Sequence, residues 1–140
     1  MVNGQLKKIG WISAIFVTLT IIFVCFYQVY QNVGTVHDYF SPKMTSFLTI
    51  DNETDEWSSI KFNGQDSVKF DSVFWDKTIT NDGNSTGNVV IRVKDGKGDI
   101  VIDEFQVSPG HFKELSGLNK DKQYYFELKA AKGQFFINAT

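Results

Sequence analysis

Residues able to do chemistry are few in this chain, and they stand apart from one another. The two histidines, His37 and His111, are its only side chains whose ordinary pKa lies near neutrality. Neither has a cysteine, aspartate or glutamate at metal-ligand spacing, so neither reads as a zinc ligand or a general base. The run Asp51-x-Glu53-x-Asp55-Glu56 opens with the alternating acids of a calcium loop. Its sixth position is Glu56 rather than glycine, however, and its twelfth is Phe62 rather than a bidentate glutamate. A solvated acidic loop is therefore expected. No nucleophile elbow, phosphate loop or zinc pattern occurs. We expect no catalytic residue, no metal site and no cofactor, hence no enzyme. Asn52, Asn84 and Asn138 head N-x-Ser/Thr triplets, glycosylation acceptors only where the transferase exists. A chain rich in Lys, Asn and Asp forms such triplets incidentally.

The bulk composition narrows the class further. The 140 residues include 13 Phe, 5 Tyr and 3 Trp but only 2 Pro, which argues against disorder. The net charge is −2, with no basic footprint for nucleic acid. From Ser41 onward 12 basic residues stand against 15 acidic ones, a mildly acidic surface. The single cysteine, Cys25, rules out a disulfide within the chain, so any domain must stand on its hydrophobic core alone.

What positions everything else is the stretch Ile9–Tyr30, IGWISAIFVTLTIIFVCFYQVY. About 20 apolar residues in a helix rise roughly 30 Å, the thickness of a bilayer's hydrocarbon core. Lipid offers the backbone no hydrogen-bond partner, so a helix is the only single segment that crosses it. The reading is a cytoplasmic tail over 1–8, a transmembrane signal anchor over 9–30, a stalk or linker over 31–44 and a domain over 45–140. Lys7 and Lys8 precede the apolar run, and no Lys or Arg follows until Lys43. The positive-inside bias places the N-terminus in the cytoplasm and the C-terminal domain outside the cell membrane. Trp11, Tyr27 and Tyr30 fall where interfacial aromatics are favoured. A cleaved signal peptide would have a shorter apolar run and a small-x-small site, which Phe26-Tyr27-Gln28-Val29-Tyr30 does not offer. Ala14, Thr18 and Cys25 fall near one helical face, with small-xxx-small spacing at Ala14 and Thr18, a candidate helix-association surface. Helical spacing continues at Val29, Val33, Val36 or His37, and Phe40, predicting a stalk that projects to about Tyr39, which Ser41-Pro42 ends and Gly34 weakens.

Beyond Thr45 the apolar period changes from 3.6 to 2. The alternation predicts strands at Ser46–Ile50, Trp57–Phe62, Ser67–Thr80, Asn88–Lys94, Asp99–Val107, His111–Leu115, Gln123–Ala131 and Gln134–Ala139. Consecutive Val73-Phe74-Trp75 suggests burial of both faces or a bulge. Asn63-Gly64 and Asp95-Gly96-Lys97-Gly98 are turn signals, the second a strong hairpin signal. The polar run Asn81 to Gly87 predicts a turn or open loop. With no amphipathic helix among them, these strands predict an antiparallel β-sandwich or barrel.

One segment is more specific. Leu115-Ser-Gly-Leu118, followed by Tyr124-x-Phe126-x-Leu128-x-Ala130, resembles the E–F corner of fibronectin type III domains. The family's usual turn proline is replaced by Lys120, and Trp57 and Trp75 are the candidates for its early tryptophan. The resemblance implies an Ig-like sandwich of 7–8 strands and a tyrosine corner, in which the Tyr124 hydroxyl bonds back to the loop. It carries no activity with it.

If Lys132-Gly133 is a two-residue hairpin turn, Lys129 faces Phe136 and Glu127 faces Asn138. Tyr125, Glu127, Lys129 and Phe136 then form one outward patch, two aromatics among charges, of the kind partner surfaces favour. The expectation is a single-pass protein holding the bilayer through residues 9–30 and displaying a non-catalytic binding module to an unknown protein or envelope partner. The alternative is an assembly subunit or immunity-type protein associating through its helix, with a homo-oligomer left open.

Overall fold

Leu6 to Tyr30 contains only two charged side chains and no proline, and nothing in it interrupts a helix. The computed structural model, which describes residues 2–53, 55–71 and 77–140, forms one helix there, α1 (Val2–Asn32). Its 31 residues rise about 46 Å at 1.5 Å each, long and apolar enough to span a membrane. Every described side chain from Asn3 to Val29 is exposed, so this apolar surface is not the core of a folded unit. Thr18 and Thr20 donate their hydroxyls to the carbonyls of Ala14 and Phe16, each at 2.9 Å, which satisfies both groups without leaving the helix. The helix lapses at Val33 and resumes as α2 (Gly34–Phe40). Gly34 is the poorest helix former at that point, and Val36 tightens the turn by donating to Val33 at 3.0 Å.

Residues 1–39 and 40–140 are two separate compact units. Among its described residues the second holds eight strands: β1 (Met44–Ile50), β2 (Ser58–Ile60), β3 (Thr78–Asn81), β4 (Val89–Asp95), β5 (Ile100–Val107), β6 (His111–Glu114), β7 (Tyr124–Lys129) and β8 (Gly133–Ala139). They make two antiparallel four-stranded sheets, ordered β1-β8-β3-β6 and β2-β7-β4-β5. Alternation decides which residues meet between the sheets. On β7, Tyr124, Phe126 and Leu128 are buried while Tyr125, Glu127 and Lys129 are not. On β8, Phe135, Ile137 and Ala139 are buried. Together with Ile60, Phe62, Phe70, Ile79, Val89, Ile91 and Val93 they form one cluster, each large side chain contributing roughly 1.5–3 kcal/mol by leaving water. Phe126 is its centre, edge-on to Phe62 at 5.5 Å and to Phe70 at 6.2 Å between ring centroids.

The strand expected over Ser67–Thr80 is shorter than its pattern. Val68 and Phe70 are buried as expected, but Val68 makes only a single bridge, exchanging backbone bonds with Tyr124 at 2.8 and 2.9 Å. Thr78–Asn81 pairs regularly as β3; the Val73-Phe74-Trp75 expectation lies outside the described residues. The Asp95–Asp99 hairpin forms as expected, with Gly98 at φ 89° closing it by a bond to the Asp95 carbonyl at 3.1 Å. Asn63-Gly64 is a tight turn with both residues at positive φ, 49° and 78°, the primed geometry that asparagine and glycine permit.

The tyrosine corner is present. The Asn119 amide donates to the buried Tyr124 hydroxyl at 2.6 Å, and the buried Lys77 ammonium donates to the adjoining Leu118 carbonyl at 2.9 Å. The Asn81–Gly87 segment forms a turn, one of its two expected forms, rather than an open loop. Thr86 donates its amide to the Gln134 carbonyl at 2.8 Å, and its hydroxyl accepts the Gln134 amide at 2.9 Å. The Ser85 hydroxyl accepts the Phe136 amide at 2.9 Å. This knitting brings Thr86 so close to Gly133 that a Cβ there would lie 2.6 Å from the threonine Cβ. Gly133→Ala should therefore destabilise the β domain by about 1–3 kcal/mol, read as a lowered urea midpoint. Adding Thr86→Gly should recover part of that loss.

Candidate functional site

The outward residues of the β2-β7-β4-β5 sheet form a charged aromatic layer. Antiparallel register sets Glu127 between Ser59 on β2 and Arg92 on β4, and Tyr125 beside Lys94. Glu127 accepts a bond from Arg92 Nε at one carboxylate oxygen and from Lys94 Nζ at the other, the latter at 3.0 Å. Trp57, just before β2, lies over this layer. The Arg92 guanidinium carbon is 4.0 Å from its ring centroid and Lys129 Nζ is 4.6 Å away, both within cation–π range. The Arg92, Lys94 and Glu127 side chains are 18–25% exposed, so the cluster is half sheltered yet reaches solvent. A bulge in β5 places Asp103 and Glu104 together opposite Arg92, which makes the face mixed in sign rather than basic. Beyond Tyr125 an open depression continues over Lys94, Gly96, Lys97 and Gly98.

Partial burial pushes the Glu127 carboxyl up, but the bonds from Arg92 and Lys94 outweigh it and hold the group below the ordinary glutamate value. A carboxyl depressed in the folded state stabilises it above the unfolded pKa of about 4.3, and that contribution disappears as pH falls through the folded value. Wild type should thus lose about 1 kcal/mol or less on acidification through this group. Glu127→Gln should remove that part of the acid slope in unfolding curves taken from pH 6 to pH 3.

The patch expected from sequence is divided. Tyr125, Glu127 and Lys129 share the outward face of β7. Phe136 does not join them, because β7 and β8 belong to different sheets and Lys132-Gly133 is not a hairpin turn. Glu127 faces Ser59 and Arg92 rather than Asn138, and Lys129 faces Val90 rather than Phe136. Phe136 pairs with Phe47 on β1, ring centroids 4.9 Å apart. The physical reason is that both strands carry a buried apolar face, and each can satisfy it from opposite sides of one core. The connection therefore crosses between sheets. Trp57, Arg92 and Lys94 are the site residues missed from sequence. The alternation Val89-Val-Ile-Arg-Val-Lys94 does mark Arg92 and Lys94 as outward, whereas the Trp57 contact depends on which strand neighbours which.

His111 is exposed, its Nδ1 3.1 Å from the Pro109 carbonyl; the His37 side chain is outside the described residues. Among the described residues no three His, Cys, Asp or Glu side chains gather into a metal-holding group. Asp51, Glu53, Asp55 and Glu56 are all exposed. Ala14, Thr18 and Cys25 lie exposed along α1. No protein-family model, no curated protein and no solved structure matches the chain.

Proposed function

We propose that this chain is a single-pass, membrane-anchored protein that presents a non-catalytic Ig-like β-sandwich outside the cytoplasmic membrane as a protein-binding module. The single observation that carries the binding role is the cluster of Trp57, Arg92, Lys94, Glu127 and Lys129 with Tyr125 beside it. Tryptophan, tyrosine and arginine are the residue types that dominate binding energy at interfaces. Here Arg92 is clamped between a carboxylate and an indole before any partner arrives, so little side-chain freedom is lost on docking. The anchor supports the location: an exposed apolar helix of spanning length, with lysines at one end alone. Two sheets sharing one core, with a tyrosine corner at Tyr124, support the Ig-like sandwich.

The test is to display the full chain on cells and crosslink its surroundings. Trp57→Ala and Tyr125→Ala together should leave the unfolding midpoint nearly unchanged and abolish a crosslinked product that wild type gives. An unchanged product sinks the assignment of this face. Exchanging residues 9–30 for an unrelated anchor separates this reading from assembly through Ala14, Thr18 and Cys25. Binding by the sheet survives the exchange; association through the helix does not.

A further inference from the structure

Two open sheets leave four strand edges, at β1, β6, β2 and β5. An open edge presents unpaired backbone N–H and C=O groups to any other strand, and stable proteins blunt it with shortness, charge or bulges. Three of these edges are blunted. β2 is three residues long. β5 bulges against β4 and carries Asp103 and Glu104 at the bulge. β6 has Lys113 and Glu114 among its four exposed residues. β1 has none of these devices. Its seven residues, MTSFLTI, include no charge and no proline, and they keep one unbroken register with β8.

The backbone groups on this edge are identified by their neighbours. The Thr45 amide donates to Asn63 Oδ1 at 3.1 Å, and the Thr45 carbonyl accepts the Asn63 amide at 2.8 Å. Both groups of Thr45 therefore point away from β8. Alternate residues of an antiparallel strand point the same way, so the amides and carbonyls of Phe47 and Thr49 also face outward. β8 agrees with this assignment. Gln134 and Phe136, opposite Thr49 and Phe47, send their amides to the hydroxyls of Thr86 and Ser85 instead. Among the described residues β1 pairs with no strand but β8, and Asn63 closes only its Thr45 end. The core is left half open on the same side. Met44, Leu48 and Ile50 pack against it but are only partly buried, whereas Phe135, Ile137 and Ala139 beside them on β8 are buried.

We propose that β1 pairs antiparallel with β1 of a second copy of the chain, about a twofold axis between the two Leu48 residues. Phe47 of each copy then exchanges both backbone bonds with Thr49 of the other, and the two four-stranded sheets become one. The limits of the edge select a second copy. Asn63 fills the place opposite Thr45, and β1 ends at Ile50, so residues 46–50 are open with Leu48 at their centre. Pairing about Leu48 sets Ser46 against Ile50 of the other copy, so each strand stops where the other copy's Asn63 begins. A longer strand from another protein would run into Asn63. Lys43 and Asp51, which flank β1 in sequence, fall outside the paired residues, and no like charges are opposed. On the inner side Leu48 meets Leu48, which covers the half-open core. Five residues about 3.4 Å apart make an edge roughly 17 Å long, far short of the ~800 Å² per partner of a stable complex. The dimer is therefore weak in dilute solution and fills when copies share a membrane, where tethering raises their effective concentration. Only this last clause rests on the anchoring proposed above.

The experiment uses the full chain, with Cys25→Ser, in native membranes under copper–phenanthroline oxidation. Chains carrying Phe47→Cys and chains carrying Thr49→Cys are co-expressed. Paired residues lie about 5.5 Å apart at Cα, within disulfide reach, whereas position 47 to 47 or 49 to 49 is two residues out of register and beyond the ~7 Å limit. The mixed pair should give at least about ten times the disulfide dimer of either substitution alone. Thr49→Pro added to the Phe47→Cys chain removes an outward N–H and leaves the ladder to β8 whole. It should cut the mixed product at least about tenfold, whereas Thr49→Val, which keeps that N–H, should not. Equal product from mixed and single substitutions overturns the proposal, and collision driven by the helices alone gives that result. Product unchanged by Thr49→Pro, or abolished by Thr49→Val, overturns it too. If Thr49→Pro unfolds the domain, read as lost protease resistance, the register comparison decides alone. No dimer, with both introduced thiols shielded from a soluble maleimide, overturns it in favour of another protein's strand on this edge; no dimer with both thiols reactive shows the edge open and overturns it outright. Alkaline extraction of the same membranes reads anchoring separately: release of the chain defeats the anchor and leaves the register comparison to be judged alone.

Discussion

Phe126→Ala should cost the β domain about 3–5 kcal/mol in urea unfolding, whereas Tyr125→Ala, one residue earlier, should cost less than about 1 kcal/mol. Phe126 is 1% exposed and stands edge-on to both Phe62 and Phe70. Its loss opens a cavity that three neighbouring strands cannot all close, so a cavity term adds to the lost burial. Tyr125 points the other way, beside Lys94 on the solvent side of the same strand, and its removal leaves the interior filled. The contrast depends on register alone, because a slip of one residue exchanges the two faces. Comparable losses at both positions would mean that the face bearing Trp57 and Arg92 is buried, and the binding reading would go with it. The midpoint of each variant in urea, with the slope checked for constancy, decides between these cases.

Local signals are legible in proportion to how local their physics is. The alternation of β7, the Asp95–Asp99 hairpin and the Tyr124 corner each depend on residues within about ten positions of one another, and the structure has all three. Strand partnership depends on residues far apart in the chain. Lys132-Gly133 has the composition of a hairpin turn, yet composition does not distinguish a turn within one sheet from a corner between two. Phe136 consequently lies on the face it shares with Phe47, and Arg92 takes the place beside Glu127. The Trp57 contact is equally out of reach, because it needs β2 to lie next to β7. Asn81 is obscured for a different reason: asparagine before Asp82-Gly83 has turn chemistry, and only the folded chain shows it as the buried end of a strand.

That asparagine is where the second large effect is expected. Asn81 is fully buried on β3, and its Nδ2 donates to the Gly87 carbonyl at 3.0 Å and the Val107 carbonyl at 2.9 Å. Val107 ends β5 in the other sheet, so one amide group joins the two layers at their edge, and both protons of that group are used. Its Oδ1 has no partner among the described residues, so what the side chain contributes lies in the two donated bonds. Asn81→Ala should destabilise the domain by about 2–4 kcal/mol, since it takes the Asn81 donor from one buried and one half-buried carbonyl. Asn81→Asp should be worse at neutral pH, because it aims a carboxylate at the same two carbonyls. Burial and those oxygens would raise the carboxyl's folded pKa above its unfolded value. The folded state then binds the proton more tightly, and the damage should grow as pH rises and partly recede on acidification. The wild-type carboxylates held low by hydrogen bonds, Asp82 and Asp95 among them, pull the opposite way. An Asn81→Asp variant that gains stability relative to wild type between pH 7 and pH 5 therefore isolates this one contact. A variant that tracks wild type across that range shows that the amide does not join the sheets.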